Sequence, residues 1–181
     1  MYDTQSARLT VTETARLRLR RLSSADAAFI LELLNDPDFL ANVGDRGVHS
    51  LQDAQRYIAE GPVLSYERFG FGLYLVELKD TRVALGLCGL LRRDSHPDVE
   101  IGFALLPQAR RCGYALEAAA ATLQLGVQAL GLTRIVAITA PDNADSIRTL
   151  ERLGLRFAGM VHFTPDGGES RLFVYEGAAA P

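Results

Sequence analysis

Four consecutive residues, Arg110-Arg111-Cys112-Gly113, stand directly ahead of a segment whose apolar positions, Leu116, Ala119, Ala120, Leu123, Val127 and Leu130, recur at helical spacing. The start of a helix exposes backbone amides that no preceding turn satisfies, and its partial positive charge favours anions. A glycine there allows close approach to the backbone, and two guanidinium forks add fixed charge. The passage reads as a cradle for a pyrophosphate. An ordinary capped helix with solvated arginines is the alternative. Neither Gly-Lys-Ser/Thr nor Gly-x-Gly-x-x-Gly spacing is present, so this is neither a P-loop nor a dinucleotide fingerprint.

Just upstream, Val99, Ile101, Phe103 and Leu105 share one face of a strand, and Glu100, Gly102, Ala104 and Leu106 the other. Gly102 and Ala104 make the second face shallow, leaving room for a ligand or for close packing under a helix. Glu100 on that face is either a proton acceptor or the structural partner of an arginine. Downstream, Asn143 opens another helix as a cap, and the hydroxyl of Ser146 falls in its first turn, where it can face a cleft at the carboxyl ends of the strands. Cys112 at a helix start would have an activated thiol, but no histidine lies nearby in sequence.

These residues need a framework. Leu17, Leu19 and Leu22 alternate with arginines as a half-buried strand. Ser23 starts a helix that Asn35-Asp36-Pro37 stops, and residues 38–49 read as a loop. Ser50 starts a second helix, ended by Gly61-Pro62. Strands follow over 70–78, 83–91 and 99–106, then the helix from Tyr114 to Leu130. A strand over 134–139, the Asn143 helix ending at Gly154, and strands over 155–163 and 171–176 complete the chain, with Pro165-Asp166-Gly167-Gly168 in the last turn. The order β-α-α-β-β-β-α-β-α-β-β predicts a single α/β domain over 15–176, with a mixed, mostly antiparallel central sheet flanked by helices. Residues 1–14 read as a loose lead-in and 177–181 as a frayed tail.

Composition agrees and excludes several classes. The 181 residues carry 19 basic and 22 acidic side chains, a net charge of −3. A dedicated nucleic-acid binder would be strongly basic. Eighteen of the basic residues are arginine and one is Lys79, a bias that makes position, not number, informative. Two cysteines, Cys88 and Cys112, and three scattered histidines give no disulfide framework and no metal spacing. No apolar run approaches the ~20 residues of a membrane span. Met1–Thr14 has no apolar signal core, so a cytoplasmic protein is expected.

The two chemical passages resemble the acyl-CoA-binding motifs of the GCN5-related N-acetyltransferases (GNATs), in the branch that holds the ribosomal-protein N-terminal acetyltransferases. The family's Gln/Arg-x-x-Gly-x-Gly/Ala signature corresponds to Gln108-Ala-Arg-Arg111-Cys-Gly113, and the branch's Gly-Tyr-Ala-x-Glu-Ala to Gly113-Tyr114-Ala115-Leu-Glu117-Ala. Its Asn-x-x-Ser-x-x-x-Leu-Glu-x-Leu-Gly-Phe run corresponds to Asn143–Leu155, with Leu155 in place of Phe, and its Glu-Ile-Gly-Phe strand to Glu100–Phe103. Arg111 replaces the signature's first glycine, which matters if that position needs positive φ.

The resemblance implies transfer of acetyl from acetyl-CoA to a primary amine, a protein N-terminus or a small molecule, by direct attack in a ternary complex. It implies a coenzyme site from Leu105, Leu106, Gln108, Arg110, Arg111, Cys112, Gly113, Tyr114, Ala115, Asn143 and Ser146. Oxyanion donors are expected at the Leu105 or Leu106 amide. Ser146 is the expected acid for the leaving thiolate and Glu100 the expected base. Residues 35–47 and 57–71 are expected to wall the acceptor cleft; their Asp36, Asp38, Asp45 and Glu67 are either a lure for a cationic amine or simply solvated loop carboxylates. No metal, nucleic-acid or membrane partner is expected, and the chain is read as monomer or homodimer. A non-catalytic acyl-CoA sensor, and a nucleotide-binding module using only the arginine cradle, are the competing readings.

Overall fold

A computed structural model describes residues 9–93, 97–162 and 168–177. Its strands are β1 (Thr10–Glu13), β2 (Leu17–Arg21), β3 (Leu73–Leu78), β4 (Ala84–Leu91), β5 (Val99–Leu105), β6 (Arg134–Thr139), β7 (Arg156–His162) and β8 (Glu169–Glu176). They form one open sheet in the order β1-β2-β3-β4-β5-β6-β8-β7. Every neighbouring pair is antiparallel except β5 and β6. The helices are α1 (Ala27–Leu34), α2 (Pro37–Val43), α3 (Leu51–Ile58), α4 (Leu64–Phe69), α5 (Tyr114–Gln124) and α6 (Ala144–Arg152).

Alternation along the strands gives the sheet two apolar faces, and each has its own core. On one, Leu17, Leu19, Tyr74, Val76, Leu90 and Ile101 pack under α5 through Ala118, Ala119 and Leu123. On the other, Leu22, Leu75, Leu87 and Leu106 meet α1, α2 and α3 through Ile30, Leu33, Phe39, Ala54 and Ile58. The expected α/β architecture with a mostly antiparallel sheet is the one observed.

Local assignments differ in three places. Thr10–Glu13 is a strand on β2, so the sheet begins inside the expected lead-in. Residues 37–43 are helical where a loop was expected. Pro37 both ends α1 and opens α2, since the first position of a helix needs no N–H, and the Asp36 carboxylate accepts the Phe39 amide at 3.1 Å. Gly61-Pro62 does not end the third helical run. It lies in a wide turn, Ala59–Val63, that carries α3 directly into α4. Similarly, the helix from Tyr114 widens after Gln124 into a turn over Leu125–Ala129. The tail from 178, residues 1–8 and most of the Pro165–Gly168 turn lie outside the described residues.

Candidate functional site

The site begins where the sheet comes apart. β5 and β6 run parallel but pair only at Val99↔Ile135 and Glu100↔Val136. Past Glu100 they diverge, while β5 keeps β4 on its other edge down to Gly86↔Leu105. Gly86 permits that contact, because a Cβ there would lie 2.1 Å from the Ala104 carbonyl oxygen. The Leu106 amide donates to the Leu85 carbonyl at 2.9 Å. Antiparallel alternation then turns the peptide groups of Ala104 towards β4 and those of Phe103 and Leu105 towards the open edge. An open strand edge inside a cleft is a template for an extended ligand that carries amides.

A groove of about 740 Å³ runs from this edge to the starts of α5 and α6, and Phe103, Leu105, Arg111, Gly113, Asn143 and Ser146 line it. Gly113, at φ 81°, is the left-handed residue that starts α5. Arg111 is left-handed too, at φ 58°. A non-glycine residue in that region costs about 1–3 kcal/mol, so the loop does require what the replaced glycine would give freely. The strained backbone carries an exposed guanidinium that makes no ion pair among the described residues, and neither does that of Arg152, also on the groove wall.

Arg110 differs from its neighbour. Its Nε donates to the Leu105 carbonyl at 2.9 Å, and its two terminal nitrogens hold Asp36 and Asp38. It touches the groove, but its charge is matched, whereas that of Arg111 is not among the described residues. Ala115 lines the groove as expected. Four other expected residues do not line it. Leu106 is buried in the second core with its amide committed to Leu85, so of the two amides only that of Leu105 is on the open edge. Gln108 is exposed in the short turn Pro107–Ala109. Cys112 is exposed, its thiol donating to the Arg110 carbonyl at 3.3 Å. Tyr114 is half-buried with the Arg16 guanidinium 4.5 Å above its ring centroid.

Sequence reasoning assigned no role to Glu117 or Arg16. Glu117 accepts the Arg16 amide at 2.9 Å, the Arg16 Nε at 2.7 Å and the Thr14 hydroxyl at 2.5 Å. Arg16 also donates to the Cys112 carbonyl at 3.0 Å. The turn between β1 and β2 is thereby clamped to the loop and first turn of α5. Burial alone would push the Glu117 carboxyl up, but the hydrogen bonds from Thr14 and Arg16 outweigh it and hold it below the usual range. The available signal was an acidic residue in a helix's first turn, where the dipole favours it.

Asn143 caps α6, its side-chain oxygen accepting the Ser146 amide at 3.1 Å. Ser146 lines the groove and also a second cavity, of about 280 Å³. Phe39, Val43 and Arg46 from α2 and the loop after it, with Tyr57 of α3, wall this cavity opposite Glu100, Gly102 and Ala104. Glu100 is 8% exposed and holds the Arg93 Nε at 2.7 Å, so its structural pairing is real, and it still faces the cavity. None of Asp36, Asp38, Asp45 and Glu67 lines this cavity. Asp36 and Asp38 belong to Arg110, Asp45 lies 3.4 Å from His49, and Asp45 and Glu67 are not in the lining. Its charged residues are Arg46, Arg93 and Glu100.

Residues 16–156 match the model of the acetyltransferase (GNAT) domain family. The uncharacterized N-acetyltransferase YoaA of Bacillus subtilis is 30% identical over 152 residues, which cover 83% of this chain and 85% of that protein. Among solved structures, an acetyltransferase from Agrobacterium tumefaciens superposes with a TM-score of 0.78 at 25% identity, covering 91% of this chain and 93% of its own. The ribosomal-protein-S5-alanine acetyltransferase from Vibrio fischeri shares the fold, with a TM-score of 0.75 at 18% identity over 94% of this chain and 98% of its own.

Proposed function

The chain belongs to the GNAT acetyltransferase family and is an acetyl-CoA-dependent N-acetyltransferase; from that premise we propose how its own residues divide the reaction between coenzyme and amine. The residues present suit the coenzyme. The start of α5, with Gly113 and Arg111, offers amides and a free charge for the pyrophosphate. The open edge at Phe103 and Leu105 offers peptide groups to the amide-bearing arm. When bound, acetyl-CoA supplies an activated thioester carbonyl and a thiol leaving group.

The Leu105 amide, on the open edge, donates to the carbonyl oxygen as it gains charge. Glu100, across the second cavity, receives the proton that the attacking amine gives up, directly or through a water. The α-amino group of a peptide, with pKa ~7.7–8.0, demands little of such a base, and a more basic amine, such as that of lysine at ~10.4, demands more. The nitrogen–carbon bond forms, the carbon–sulfur bond then breaks, and the Ser146 hydroxyl passes a proton to the departing sulfur while taking one from water, so that the hydroxyl is restored and the proton held by Glu100 returns to solvent. Ser146 suits that role because, of the five residues that line both spaces, it is the one whose side chain carries a proton to give. The acceptor is a primary amine entering by the second cavity, and attack takes place with both substrates bound.

The meeting of the two spaces at Ser146 carries this reading. Ser146→Ala is expected to lower turnover about 10–100-fold, within the range of a lost general acid, with the acetyl-CoA dissociation constant unchanged. Steady-state release of free thiol and calorimetric titration measure the two. Unchanged turnover removes Ser146 from the acid role. A protein that binds acetyl-CoA but releases no thiol with any amine is a sensor.

A further inference from the structure

The second cavity has the wrong charge for a polyamine or a simple cationic amine. Arg46 and Arg93 face it against a single carboxylate, Glu100, which is itself held by Arg93. The balance inside is one positive charge in excess. Arg46 stands on the exposed loop after α2 with no ion pair to a carboxylate among the described residues. Across the cavity is Tyr57 of α3. The rest of the wall is apolar, with Phe39, Leu87, Leu91 and Phe103. At about 280 Å³ the space lies just below the range of pockets for drug-sized ligands.

Resting on the acetyl-transfer reading, we infer that the acceptor is a small amino-carboxylate with an apolar side chain, such as a free aliphatic or aromatic amino acid. Its carboxylate meets Arg46 and the Tyr57 hydroxyl, its side chain the apolar wall, and its amine lies on the Glu100 side. A planar guanidinium is the side chain best matched to a carboxylate. Burial drives the Tyr57 hydroxyl pKa up, against the opposing pull of Arg46 and Arg93, so it stays protonated and able to donate. An apolar residue on an otherwise cationic-lined site also explains why so little of the wall is polar.

The test is thiol release by the full-length protein with acetyl-CoA and three matched acceptors: leucine, leucinamide, which keeps the amine and side chain but lacks the carboxylate, and spermidine. Leucine is expected to exceed leucinamide by about tenfold or more in kcat/KM, the worth of one charge-assisted hydrogen bond. Arg46→Gln, a change on an exposed loop, is expected to shrink that preference to within about twofold, acting through KM for leucine. Phenylalanine against phenethylamine repeats the comparison with an aromatic side chain. Equal or better use of the amines without a carboxylate, of spermidine or of an alanine-started peptide overturns the inference and leaves acetyl transfer standing. So does a preference for leucine that survives Arg46→Gln. Absence of thiol release with every acceptor overturns both.

Discussion

On the α1 side of the sheet, Arg18 and Arg20 of β2 are closed over Glu77 of β3 and Asp26 ahead of α1. Glu77 accepts the Arg18 Nε at 2.6 Å and the Arg20 Nε at 3.0 Å, and Asp26 accepts two further nitrogens of Arg20 at 2.7 and 2.9 Å. At the groove, Arg111 and Arg152 are exposed with no carboxylate partner among the described residues. The sequence is equally rich in arginine at both places. What separates them is whether the fold brings an acid to each base. In the first region it does, and the charges fix one strand register and the start of one helix. In the second the fold leaves positive charge on a strained loop at a helix start, where only an incoming anion can match it.

The largest test breaks the closed side. Glu77→Ala leaves two enclosed guanidinium groups without their shared acceptor and is expected to cost about 3–5 kcal/mol, a fall in Tm of roughly 6–20 °C. Thermal denaturation measures it, and a change within about 0.5 kcal/mol would mark the network as an ordinary surface one. Next, on the open side, Gly113→Glu places a negative side chain at a left-handed position on the anion seat. Acetyl-CoA affinity is expected to fall about a hundredfold or more, at least ~2.7 kcal/mol, by calorimetric titration. Retained tight binding would move the seat elsewhere.

Glu117 lies between the two cases, matched by Arg16 yet part of the groove's support. Glu117→Gln is expected to cost about 1–2 kcal/mol. Its folded-state pKa is depressed, and so is that of Asp26, where burial pushes up but the hydrogen bonds from Arg20 and Ser23 prevail. Such groups add stability above their unfolded pKa of ~4, and that stability is lost as pH falls through the lower folded value. The stability of Glu117→Gln should therefore decline less steeply below pH ~4 than that of the unaltered protein, as denaturant midpoints against pH would show. The smallest effect sharpens the contrast most. Arg111→Gly removes the backbone strain and the free charge together. Tm is expected to rise by roughly 2–4 °C, about 1 kcal/mol, while acetyl-CoA binds about tenfold more weakly. A simultaneous rise in affinity would deny the guanidinium a role in binding.

What could be read from the sequence was local. The alternation of β5, the helical stripe after Gly113 and the Asn143 cap are set by neighbours a few residues apart, and each stands where expected. Pairing across the chain was not legible. Nothing near Arg110 announces Asp36 and Asp38, more than seventy residues away. Glu117 finds Arg16 across 101 positions. The charge of the second cavity was illegible for the same reason: two of the acids in residues 35–47 are matched by a base from a distant segment. Pro37 was misjudged because a single residue can close one helix and open the next, and β1 because four residues make a weak pattern before their partner is known.

The divergence of β5 from β6 also bears on how the chain is made. From β1 to β5 each strand pairs with the one synthesised just before it, although three helical runs intervene between β2 and β3. Pairing with the strand last formed means that each partner is already made when the next strand leaves the ribosome. β6, β8 and β7 form a second half-sheet, joined to the first at only two residue pairs. The reaction cleft has one wall from each half. Its second wall is therefore the last part to be synthesised, and a nascent chain stopped before β6 would hold the first wall and the start of α5 but no closed cleft.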